Sequence, residues 1–176
     1  MIKKSAKELA EDEMKILTEL HYHGKENIEA LAKHCGFSIQ KTRRMIKQLE
    51  DRRIIWGYTA VTDLEKMNQR LFMMLIRKEN KPVDEKTSEK INSIDLEDLA
   101  GPLGLHIVCS YFAHGIYDWI VIYTGSDFLH ARRLCDTLNT EFPGYIKECN
   151  IEQILYSTRK QYIINPDRKK LHELME

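Results

Sequence analysis

Residues 38–53, SIQKTRRMIKQLEDRR, constrain the fold more tightly than any other stretch of the chain. Read at helical period, Ile39, Thr42, Ile46 and Leu49 fall on one stripe that can face a small core. Gln40, Lys41, Arg43, Arg44 and Lys47 fall on the other faces. Ser38 stands where an N-cap belongs, its hydroxyl placed to accept from the first free backbone amides. Six basic and two acidic residues give the stretch a net charge of +4 in a chain whose total is zero. A short, capped, basic helix with one apolar stripe is a shape that enters a major groove. It is equally the shape of a solvated surface helix whose charges keep it soluble.

The flanking sequence bears on that choice. Ser5 and Glu8 form a capping-box pattern, S-A-K-E, that starts a first helix. Leu9, Met14, Ile16, Leu17 and Leu20 supply its apolar side, and Gly24 stops it. Asn27 caps a second helix in which Ile28, Leu31, Ala32 and Cys35 recur at i, i+3, i+4 and i+7. Gly36 ends it, Phe37 can plug the corner, and Ser38 begins the third. Two helices joined by a short turn containing glycine are a helix-turn-helix layout. Residues 54–61, IIWGYTAV, are β-branched and aromatic around a glycine and predict a short hairpin, the wing of a winged helix.

Residues 62–70 are polar and read as a linker; from there a coarse βαββαβ pattern follows. Residues 71–77, LFMMLIR, form an apolar run of strand length. A weakly amphipathic helix over 84–100, with a break near Ser93, leads to the turn Gly101-Pro102-Leu103-Gly104. Strands over 105–113 and 118–124 flank a turn at His114-Gly115-Ile116-Tyr117. Asp127 caps a helix with Phe128, Ala131, Leu134, Cys135, Leu138 and Phe142 on one face, ended by Pro143-Gly144. Residues 146–156 make the last strand, and Pro166 opens a short charged helix. The expected fold class is α+β: an N-terminal winged helix-turn-helix (1–61), a linker (62–70) and a ferredoxin-like sandwich (71–176).

Charge is divided along the same boundary. Residues 1–60 carry twelve Lys/Arg and nine Asp/Glu; residues 61–176 carry fifteen and eighteen. A basic head on an acidic body fits nucleic-acid binding by the first part. No eighteen-residue apolar run is present, so no membrane span is expected, and the N-terminus lacks the apolar region of a signal peptide. Cys35, Cys109, Cys135 and Cys149 have no CxxC pairing and read as buried free thiols, which fits a reducing cytoplasm. His21 with His23, and His34 with Cys35, lack metal-finger spacing, so no metal is expected. The GxxxxGK[ST], GxGxxG, HExxH and GxSxG signatures are absent; no catalytic residue and no cofactor is expected.

In this order the elements resemble the Lrp/AsnC, or feast/famine, transcription regulators. Leu9 with Ile16-Leu17 is similar to that family's opening L-D-x-x-D-x-x-I-L. Leu31-Ala32-Lys33 followed by Gly36-Phe37-Ser38 looks like its L-A-x-x-x-G-h-S. Leu49-Glu50, then Ile55-Trp56-Gly57-Tyr58 and Asp63, resembles its L-E-x-x-G-h-I-x-G-Y-x-A-x-x-D. Gly115-Ile116-Tyr117-Asp118 stands where its G-x-x-D turn falls. Ala10 and Glu13 replace usual aspartates, Met45 a customary arginine, and Arg52-Arg53 occupy the place of a turn glycine.

The resemblance implies a transcriptional regulator that binds double-stranded DNA. The DNA-binding residues would be Ser38, Gln40, Lys41, Arg43, Arg44 and Lys47, with Lys41, Lys47 and nearby arginines holding phosphates and Gln40, Arg43 or Arg44 reading base edges. It implies a homodimer joined through the C-terminal sheets, often assembled further into tetramers or octamers. It also implies a small effector, an amino acid or related metabolite, bound between C-terminal domains at Gly115, Tyr117 and Asp118. A Gly-x-Tyr-Asp turn can equally be a structural hairpin whose aspartate accepts turn amides. Two other readings stay open. One is an enzyme resembling the sirohaem decarboxylases, for which His114 and Trp119 are the suggestive residues. The other is a metabolite-sensing module in which DNA binding is secondary.

Overall fold

The computed structural model describes residues 6–167 and His172, and the chain divides into two compact units. Among the described residues, 6–61 group with 158–167, and 62–157 form the other unit.

The first unit is built on helices α1 (Ala6–His23), α2 (Ile28–Cys35) and α3 (Ile39–Asp51). Asn27 caps α2, its Oδ1 accepting from the Ala30 amide at 2.9 Å. Gly36 closes α2 in the left-handed region, φ 69°, where a side chain would be strained. From there the Gly36 and Phe37 amides donate back to the Lys33 and Ala32 carbonyls. Ser38 caps α3 at once, its Oγ accepting from the Lys41 amide at 3.2 Å. The S-A-K-E box begins at Ser5, outside the described residues.

Ile16, Leu31, Cys35, Met45 and Leu49 are buried between the three helices, with Leu17, Leu20, Phe37, Ile46 and Ile55 packed around them. The buried stripe of α3 differs from the expected one. Thr42, Met45 and Leu49 face inward, while Ile39 is 41% exposed. Thr42 and Leu49 are thus buried and Ile46 packs beside them as expected, with Met45 taking the place of Ile39. On α1, likewise, Leu9 and Met14 lie at the surface.

The expected wing hairpin does not form. After α3, Arg53 adopts φ 55°, and the Ile54 and Ile55 amides both turn back to the Leu49 carbonyl. Ile55 thus reaches the core, but residues 55–63 carry no strand, and Trp56 is 94% exposed. About three residues on either side of Gly57 are too few to hold a hairpin without other strands or a packed face. Instead, the unit gains a minimal hairpin from the far end of the chain, Arg159–Lys160 paired with Ile163–Ile164. Tyr162 in its turn stacks on His21, ring centroids 3.9 Å apart, and meets Tyr22 edge-on. The helix expected from Pro166 falls almost entirely outside the described residues.

The second unit follows the βαββαβ pattern. A single turn of 3-10 helix at Glu65–Met67 precedes β1 (Arg70–Lys78). Then come α4 (Glu85–Ser93), α5 (Leu96–Ala100), β2 (His106–Phe112), β3 (Trp119–Gly125), α6 (Phe128–Glu141) and β4 (Ile146–Ile154). The helix expected over 84–100 is broken where Ile94 goes extended and Asp95 caps α5. The four strands form one antiparallel sheet in the order β2-β3-β1-β4.

Period-two alternation divides the sheet into two faces. Phe72, Met74 and Ile76 of β1 and Trp119, Val121 and Tyr123 of β3 are buried. They pack with Leu96 and Ala100 of α5, Ala131, Leu134 and Leu138 of α6, and Phe142. Leu71, Met73, Leu75, Ile120 and Ile122 point to the opposite face and are half-buried. Among the described residues, no helix is long and apolar enough to cross a membrane.

Candidate functional site

The two sets of residues singled out from the sequence lie in different units. On α3, Gln40, Arg43, Arg44 and Lys47 are all exposed, on the side away from Thr42, Met45 and Leu49. Among the described residues no ion pair engages Arg43, Arg44 or Lys47. Lys41 is placed differently. Its Nζ donates to Asp12 Oδ2 at 2.7 Å and lies 3.4 Å from the centroid of the Phe37 ring. Arg52 is likewise held by Glu13 at 2.5 Å. Two acidic residues of α1 therefore hold Lys41 of α3 and Arg52 at its C-cap, leaving Arg43, Arg44 and Lys47 toward solvent. The Ser38 hydroxyl is occupied by its cap.

In the second unit, residues 113–118 connect β2 to β3. The Ala113 amide donates to the Asp118 carbonyl at 2.8 Å, and the Asp118 amide to the Ile76 carbonyl at 2.9 Å. The Asp118 carboxylate accepts from the Lys78 amide at 3.0 Å, with Lys78 Nζ 4.0 Å away. Asp118 therefore ties the turn to the end of β1 and keeps part of its carboxylate toward solvent. Burial, with the Asp118 charge nearby, pushes the Tyr145 phenol above its ordinary range. Tyr117 is half-buried. Gly115 is exposed, does not have positive φ, and would present an added Cβ to open space. The local backbone therefore does not demand glycine there. Glu79, Lys81, Asp84, Thr87, Pro143 and Tyr145 help line a small cleft open to solvent. Asp84 is occupied there as the cap of α4, which holds its carboxyl below the usual range.

One grouping was not legible in the sequence. The α1–α2 corner brings Glu19, His23, Glu26 and His34 together. His23 had been paired with His21 by proximity along the chain, and His34 with Cys35. A helix places residues four apart on one face, so the partners are Glu19 and His23, with His34 arriving from α2. The i, i+4 spacing of Glu19 and His23 was the available signal.

No family model matches the sequence. No curated protein matches it either. Solved structures do match. An AsnC family transcriptional regulator from Agrobacterium tumefaciens aligns over 88% of this chain and 95% of its own, with TM-score 0.63 and 17% identity. A transcriptional regulator from Neisseria meningitidis, in complex with L-Met, aligns over 92% and 94%, with TM-score 0.62 and 16% identity. A feast or famine regulatory protein from M. tuberculosis, complexed with L-methionine, aligns over 86% and 95%, with TM-score 0.66 and 15% identity. The fold is that of the AsnC-type regulators. Within this AsnC-type fold, α3 sits in the helical unit and the 113–118 turn in the sandwich.

Proposed function

We propose that the chain is a sequence-specific DNA-binding transcriptional regulator of the Lrp/AsnC type, responsive to an amino acid or related small metabolite. The observation that carries this reading is the outward cluster on α3. Gln40, Arg43, Arg44 and Lys47 share an exposed side of a helix that is capped and joined to α2 by the residues Gly36, Phe37 and Ser38. In this reading α2 and α3 are the helix-turn-helix. Arg43 or Arg44 and Gln40 reach base edges, and Lys47 holds phosphate. Ser38 contributes by fixing the entry of α3, and Lys41 by holding it to α1.

The half-buried apolar face of the sheet, with Leu71, Met73, Leu75, Ile120 and Ile122, supports pairing of two chains through their sandwiches. The effector is assigned to the turn of Gly115, Tyr117 and Asp118, where part of a carboxylate faces solvent and can accept from an ammonium group. L-methionine in two proteins of the same fold supports an amino acid. Of the two residues suggestive of the sirohaem alternative, His114 is exposed, while Trp119 is 2% exposed, packed in the core, with its Nε1 donating to Ser110 Oγ.

Selection of bound sites from a random DNA pool tests the DNA reading. Paired half-sites about one helical turn, roughly 10 bp, apart are expected; a pool without enrichment rejects the reading. A thermal-shift screen of amino acids tests the effector reading. A compound should raise the melting temperature of the wild type, and Asp118→Ala should lose that rise. A mutant that keeps the full shift moves the site elsewhere.

A further inference from the structure

We propose that Glu19, His23 and His34 form a binding site for a divalent transition metal ion of the zinc type, at the corner between α1 and α2. Glu19 and His23 lie one turn apart on α1, and His34 reaches them from the last turn of α2. His34 Nδ1 is 3.1 Å from Glu19 Oε2, and His23 Nε2 is 3.8 Å from that same oxygen. One donor atom from each residue lies within 4.8 Å of the other two. A tetrahedral ion with bonds of about 2.0–2.1 Å requires ligand atoms roughly 3.3 Å apart. The two measured edges straddle that length, so small side-chain rotations close the site. The rings of His23 and His34 meet edge-on, centroids 5.4 Å apart.

The surroundings are those of a supported site. With Nε2 of His23 toward the ion, its Nδ1 lies 3.5 Å from Glu26 Oε1. A carboxylate behind a ligating imidazole fixes its tautomer and orientation and raises its basicity. The second oxygen of Glu26 is 3.4 Å from His34 Nδ1, so the same carboxylate also stands beside the second imidazole. Two imidazoles and a carboxylate are a donor set that suits zinc and its first-row neighbours. All four side chains are partly exposed, so an ion can enter from solvent. His21 takes no part, being stacked on Tyr162. A bound ion would fasten the end of α1 to the end of α2, and this holds whether or not the unit binds DNA.

The experiment uses the full chain without an affinity tag, stripped of metal by a chelator and titrated with zinc chloride in a calorimeter. One zinc ion per chain is expected, at micromolar affinity or tighter, with a higher melting temperature. Cobalt(II) in its place should give the visible bands of a tetrahedral ion. Glu19→Gln and His34→Ala should each weaken zinc binding at least about tenfold. Glu26→Gln should weaken it by roughly 10-fold, as loss of an orienting carboxylate does, and His21→Ala should leave it unchanged. Far-UV circular dichroism verifies that each variant is helical. Failure of the wild type to take up zinc stoichiometrically overturns the site. So does unchanged binding in Glu19→Gln and His34→Ala. In either case the cluster is only a set of histidine–carboxylate ion pairs.

Discussion

Lys41 and Lys47 sit on the same helix with the same charge, yet their surroundings give them different work. Lys41 neutralises Asp12, whose side chain is 7% exposed, while Lys47 faces solvent. Removing one partner of a buried carboxylate is costly, up to about 3 kcal/mol. Lys41→Ala is therefore expected to lower the stability of the helical unit by up to that amount, measured by urea unfolding. Lys47→Ala should stay within about 0.5 kcal/mol of the wild type, as surface substitutions do. Equal stability of the two variants would show that the Asp12 pair contributes nothing. Arg53 is a second residue set by its neighbours. Its φ of 55° belongs to the left-handed region, where a side chain costs about 1–2 kcal/mol. Glycine relieves that strain but loses more chain entropy, about 0.5–1 kcal/mol. Arg53→Gly should thus raise the unfolding free energy by up to about 1 kcal/mol, and a loss of stability would refute the assignment of strain.

At the level of elements, α3 joins fold to proposed function. Arg44→Ala should cost roughly 1–3 kcal/mol at one base position and relax the preference there. Lys47→Ala should weaken binding to all sequences alike and make it less salt-dependent. Electrophoretic shift titrations at two salt concentrations separate these effects. An Arg43/Arg44/Lys47 triple alanine variant that is folded and still binds normally would remove α3 from the interface. The element boundaries leading up to α3 were legible because they rest on local chemistry: Asn27, Gly36 and Ser38 act within three or four residues of themselves. The sandwich was legible for a similar reason, since apolar runs of strand length and a helix capped by Asp127 declare themselves locally, whereas the Asp95 cap that begins α5 was not read. The exchange of Ile39 for Met45 on the buried side of α3 was not, because it depends on how the three helices pack together. The wing also failed, because Ile54, Ile55 and Tyr58 have the composition of a strand but no partner strand to pair with. His23 and His34 could not be joined from the sequence because only packing of α1 on α2 brings them together.

For the whole molecule, the outward face of the sheet determines the expected assembly. Met73 and Ile122 pair across β1 and β3 on that face, so a charge at either would be driven into a dimer contact. Met73→Asp and Ile122→Glu should shift sedimentation of the full chain from dimer to monomer at micromolar concentration, with helical content kept. Dimers that persist in both variants would place the contact on another surface. The grouping of residues 158–167 with α1 also has a consequence for the order in which the protein is made. During synthesis α1, α2 and α3 leave the ribosome first, but Tyr162, which covers His21 and Tyr22, emerges only after the entire sandwich. Bringing it back closes a loop that spans all of residues 62–157, and the entropy of closure falls once those residues have folded and drawn their ends together. The sandwich is thus a tether that prepares its own closure, and a chain of which only residues up to 157 have cleared the ribosome would carry a sandwich able to finish folding and a helical unit still missing its last piece.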